Sequence, residues 1–284
     1  MKTFVPRAAG GTLLFLACLG VAPAQALSPV TYVSGKGTDG SDTGTCASPA
    51  NPCRSFQFAI SKTSAGGEVK ALDPADYGSM VITKSISISG VEGAGIDRNS
   101  GDAILIKTAP NDVVNLSHLI LDGNKAAKNG IRIIQPAGSL TIAHCTVRNF
   151  TTGLFYEMSG GTTNFLIRDT LFSDNSGDAI FIAPLGKNSA QGVLNHVLIN
   201  NNGDGLHIFG FAGVADILAI DSSATNNVIA GFDDQSGTLR LAHSTAKGNG
   251  IGVSVGDKTY SSGDNFINGN VQDISGTLIN AGTH

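Results

Sequence analysis

The sequence predicts an all-β solenoid, and three observations carry that prediction. The composition suits strands and turns: of 284 residues 37 are glycine, none is tryptophan and 14% are charged, with short Val/Ile/Leu runs punctuated by Asn, Asp, Ser and Gly. A repeat runs through the middle of the chain, since Asn149, Asn175, Asn201 and Asn227 recur every 26 residues. Each is followed by a small and then a large apolar residue, in Gly153-Leu154, Ala179-Ile180, Gly205-Leu206 and Gly231-Phe232. Finally, nothing between these strands has helical spacing, and the Leu-x-x-Leu-x-Leu pattern of leucine-rich repeats is missing. A unit this small cannot bury its own apolar face, so copies must stack, about 4.8 Å apart.

Residues 1–26 read as an export signal. Lys2 and Arg7 form a basic region, Gly11 to Ala22 is apolar, and Ala24-Gln25-Ala26 is a small-residue cleavage site. The expected product is secreted or periplasmic and begins at Leu27. The apolar run is too short to span a bilayer and no longer one follows, so no membrane span is expected. Without Lys2 and Arg7, 16 basic residues face 22 acidic ones, a net charge of −6, which argues against nucleic acid as a partner.

Residues 27–67 hold a leading strand at Tyr32-Val33, a disulfide loop and a cap. Cys46 and Cys53 bracket a short Pro-containing loop in an exported chain, which points to a local disulfide. Phe56, Ala59 and Ile60 fall at helical spacing, so a short helix there can plug the open end of the first coil. Residues 68–284 form the solenoid, from Val81-Ile82 and Ile86–Ile88 to a last partial coil at Phe266-Ile267 and Thr277–Ile279, with no second cap. The Asn column is expected to form a structural ladder of amides at turns, where Asn tolerates left-handed backbone. Cys145 lies among apolar residues and reads as a buried small hydrophobe rather than a nucleophile.

The units Leu140–Asn149 and Leu239–Asn249 resemble coils of the right-handed parallel β-helix of the pectin-lyase-like superfamily. The segments Tyr32–Gly40 and Pro52–Ile60 resemble the first strand and capping helix of exported bacterial β-helix proteins of unassigned activity. The likeness covers nearly all of residues 27–284 and implies a fold, which by itself licenses no chemistry.

Strand alternation then places candidate residues. If Ile131, Leu154, Ile180, Leu206, Phe232 and Val253 point inward, then Arg132, Phe155, Phe181, His207, Asp233 and Ser254 form one outward column. Arg132, Phe155 and Phe181 are candidate substrate-binding residues, because aromatic faces stack on sugar rings. His207 and Asp233 are candidate catalytic residues, as a carboxylate on the next coil can orient or charge an imidazole. Asp178 and Asp204 stack at the same spacing, with Asp234 beside Asp233, so calcium held by Asp178 and Asp204 is a possible cofactor.

A further column comes out differently in two alignments. One stacks His144, Asp169, Asn195, Asp221 and His243; strict 26-residue steps instead stack His118, His144, Thr170 and His196. The two differ by one residue, which in a strand exchanges the faces.

Within the superfamily, lyases use acidic calcium ligands with an Arg or Lys base, and hydrolases use close-set aspartates. Asn202–His207 and Asp233-Asp234 partly match the hydrolase patterns, but order and spacing differ, so the resemblance transfers no catalytic role. No phosphate loop, His-Glu-x-x-His or Gly-x-Ser-x-Gly is present, which removes nucleotide enzymes, zincins and α/β-hydrolases. The favoured expectation is a non-catalytic module that binds a glycan or another surface, or serves as a structural rod. The alternative is a polysaccharide lyase or glycoside hydrolase working on an extended chain along the column.

Overall fold

In the computed structural model, the described residues are 1–2, 27–40, 44–135, 137–158, 161–210 and 212–282, so the proposed signal segment lies almost wholly outside them. The chain winds through about eight turns of a parallel β-solenoid. Three parallel sheets run along it, of eleven, nine and nine strands.

One coil shows how sequence makes the turn. Strand Ser139–Ala143 belongs to the eleven-stranded sheet, the chain bends at His144, and the short strand Thr146–Arg148 follows. It bends again at Asn149 and enters strand Thr152–Met158 of the third sheet. Both bends are single left-handed residues, with φ of 54° at His144 and 60° at Asn149. Asn, Asp and His enter that region more readily than β-branched residues do, which is why polar residues punctuate the repeat.

The interior is a stack of aliphatic columns. Ile142, Ile167 and Leu194 line it from the first sheet, Val147, Phe172 and Ile199 from the second, and Leu154, Ile180 and Leu206 from the third; all are buried. The small residues of the repeat are a packing requirement. A Cβ on Gly205 would lie 2.0 Å from the carbonyl oxygen of Gly231 on the next coil.

The amide ladder exists but runs through a different set of residues from the 26-residue series. Asn175, Asn202, Asn227, Asn249 and Asn270 form it, each Nδ2 donating to the next Oδ1 at 2.9–3.0 Å. Each Oδ1 also accepts the backbone N–H of the asparagine before it. Asn149 and Asn201 belong to the neighbouring left-handed corner, together with Asp174, Asn226 and Gly248. Coils here alternate in length by a residue, so a fixed period samples both columns in turn.

At the N-terminal side, strand Ser28–Val33 pairs with Thr63–Ala71, and Cys46 is joined to Cys53 as expected. The one helix among the described residues is Phe56–Lys62, capped by Ser55, whose Oγ accepts the Phe58 N–H. Its Phe56, Ala59 and Ile60 are buried, with the Phe56 ring 4.8 Å from that of Tyr77. The last coil, by contrast, leaves Phe266, Val271, Ile274 and Ile279 exposed. No helix among the described residues is long and apolar enough to cross a membrane.

Candidate functional site

The third sheet carries the outward column in the register the sequence implies. Arg132 pairs with Phe155, Phe155 with Phe181, Phe181 with His207, His207 with Asp233, and Asp233 with Ser254. Four coil steps separate Arg132 from Asp233, roughly 19 Å at the ordinary strand spacing. The Phe155 and Phe181 rings stack at 5.5 Å and 14°, and Phe181 meets the His207 ring at 4.8 Å. The Arg132 guanidinium lies over Phe155 at 5.8 Å and also reaches Asp102 at 3.8 Å and Glu157 at 3.5 Å.

His207 is the centre of the cluster. Its Nδ1 lies 2.9 Å from Asp178 Oδ1 on the preceding coil, and its Nε2 lies 3.8 Å from Asp233 Oδ2 on the next. Asp178, Asp204 and His207 offer ligand atoms within 4.8 Å of one another. They meet because the strand bends at Gly205: residues 205 and 206 are both buried, so strict alternation fails there and Asp204 emerges on the side of His207.

Electrostatics follow from that enclosure. Burial, and then the charge of Asp233, push the Asp204 carboxyl up to about 7. Burial alone would lower the His207 pKa, but the Asp178 hydrogen bond and the charges of Asp178, Asp204 and Asp233 outweigh it and hold the imidazole above its usual value. The cluster titrates as a unit, with one proton more easily kept than lost near neutrality. Asp233 is buried and accepts a hydrogen bond from Gln235 Nε2 at 2.8 Å.

Asp234, which the sequence places next to the calcium pair, faces the other way. It lies fully buried, accepts Thr259 Oγ1 at 2.9 Å, and burial raises its pKa. Side chains missed by the sequence reading complete the site: Phe209, whose ring is 6.2 Å from that of His207, and Gln235, Glu157 and Asp102. Phe209, Gln235 and Glu157 each sit two residues after a column member, so the same alternation would have found them.

The second His/Asp column is a corner rather than a strand face. His118, His144, Asp169, His196, Asp221 and His243 all have left-handed backbone, with φ between 47° and 55°. Each alignment from sequence was therefore part right. Asn195 pairs with Arg168 inside a strand, so His196 takes its place; Thr170 is buried one residue beyond the corner, so Asp169 takes its place. These side chains are exposed, His118 stacked on His144 at 4.9 Å and His243 Nε2 2.8 Å from Asp264. Cys145 is buried just inside this corner, and burial pushes its thiol up to about 11, which keeps it unreactive at neutral pH.

Three stacked parallel sheets, αL corners and an interior asparagine ladder define a right-handed parallel β-helix of the pectin-lyase-like fold. Among solved structures, pectate lyase Pel9A matches with a TM-score of 0.52 and 18% sequence identity, over 82% of this chain and 74% of that one. The likeness is one of fold. No protein-family model and no curated protein matches the sequence.

Proposed function

We propose that this protein is an exported glycan-active β-helix that holds an extended sugar chain along the column from Arg132 to Asp233 and hydrolyses it at the His207 end. The observation that carries the reading is the position of His207, at the end of a stacked aromatic row and enclosed by Asp178, Asp204 and Asp233. Glycoside hydrolysis needs one carboxyl that keeps its proton and one that has lost it. Asp204 suits the acid, giving its proton to the departing sugar oxygen. Asp233 suits the base that activates water, held by Gln235, while His207 sets the spacing between them. A lyase needs a free basic group to remove a carbon-bound proton, and Arg132 is already engaged by two carboxylates.

In the same reading, helix Phe56–Lys62 plugs the first coil, and the disulfide together with the leading segment serves export. The test is reducing-end release, with unsaturated-product absorbance alongside, over a polysaccharide panel. Release without unsaturated product, lost in Asp204→Asn and in Asp233→Asn, is the expected result. Binding without release would return the protein to a glycan-binding module.

Calcium on Asp178 and Asp204 is a second reading, favoured by the close approach of their carboxylates. Two carboxylates and an imidazole fall short of the six to eight oxygens calcium takes, so water or sugar oxygens would have to complete the shell. A calcium-dependent rise in melting temperature is the check, since a ligand selective for the folded state must stabilise it.

A further inference from the structure

We infer that the groove refuses uronate chains and takes a glycan bearing protonated amines, of the glucosamine type. This rests on the column being a glycan groove, and it names the substrate class of that groove.

The charge inventory is one-sided. Asp102, Glu157, Asp178, Asp204 and Asp233 surround the column, against Arg132 and His207. Neither cation is free. Arg132 lies between Asp102 and Glu157, and His207 between Asp178 and Asp233. A sugar carboxylate laid here would meet five like charges and no spare partner, because the remaining basic residue of these strands, Lys107, stands exposed at a strand end opposite Gln135.

An ammonium meets the opposite situation. It offers three donors and no acceptor, and the cluster offers acceptors in excess. Asp204 is 4% exposed and receives one hydrogen bond, from the Gly205 N–H at 2.9 Å. Carboxylates so poorly solvated attract a cation more strongly than surface ones do, and repel an anion equally. The Phe155 and Phe181 faces stack on any pyranose, so they supply affinity without choosing charge.

The experiment is calorimetric titration of the full chain with hexamers of glucosamine, N-acetylglucosamine and galacturonate, in slightly acidic buffer with EDTA and again with calcium. The glucosamine hexamer should bind tenfold or more tightly than its acetylated counterpart, the advantage shrinking as salt is added. The galacturonate hexamer should give no binding. Asp178→Asn should erase the preference for the amine while the acetylated hexamer still binds, and Asp233→Asn serves if the first variant does not fold. Phe181→Ala should weaken both.

Galacturonate binding as tight as glucosamine binding, with or without calcium, would overturn the inference, as would equal affinity for amine and acetamide. Silence with all three hexamers would overturn the groove reading with it. Selective binding without cleavage would uphold the charge selection and remove hydrolysis alone.

Discussion

Asp204 makes the cost of the cluster measurable. Its carboxyl titrates near 7 in the fold against 3.8 for an ordinary aspartate. Below both values the two states are equally protonated and the stability contribution is fully present. Between them the unfolded chain releases its proton while the folded one holds it, so stability falls as pH rises toward 7 and then levels. His207, also raised, acts in the same direction through its own titration range. Asp204→Asn should therefore melt higher than the parent at pH 8 and the same near pH 3; parallel melting curves at every pH would show that the carboxyl is not buried among charges. Asn202 offers a second residue-scale test. It serves both neighbours in the ladder and donates to Phe172 O at 3.2 Å, so Asn202→Ala leaves buried donors and an acceptor unpaired. A loss of about 2–3 kcal/mol in urea unfolding is expected. At this scale the outward column was legible because alternation is a strict rule along a strand. Asp178 and Asp204 stacked as the spacing implied, but their approach to His207 depends on the bend at Gly205, which no periodicity encodes.

Among the elements, strands were the easiest to read and corners the hardest. Helix Phe56–Lys62 followed from three apolar residues at helical spacing, and truncating Phe56 tests what that face is worth. Phe56→Ala should cost about 3–5 kcal/mol, because the ring is fully buried against Tyr77. A loss near zero would mean that the helix sits on the solenoid without sealing it. The corners misled a fixed-period reading because 25 residues separate His144 from Asp169 and 27 separate Asp169 from His196. A step one residue short followed by one a residue long keeps the average at 26 and shifts only the middle member. Thr170 and Asn195 were each misplaced by that single residue, and the asparagine ladder was split between two columns for the same reason.

For the whole molecule, stability should be graded along the axis rather than uniform. Each coil rests chiefly on its two neighbours, as in other solenoids, and the last one leaves Phe266, Val271, Ile274 and Ile279 open to solvent. Hydrogen exchange should show the strongest protection in the coils spanning 139–255 and the weakest at 266–280. Uniform protection would mean that the chain opens as one unit. The fold as a whole was legible, since a repeat too small to stand alone has few ways to become stable. The site's charge balance was not, because it depends on which carboxylates converge in space. The compensated coil lengths at the His144–His196 corner carry one more consequence. An extra residue in strand Asp204–Phe209 would exchange inside for outside along everything that follows it, whereas the left-handed bend at Asp169 absorbs a missing residue and hands the next strand back in phase. The bends are therefore where such a chain can gain or lose length through descent while every face goes on presenting the same surface.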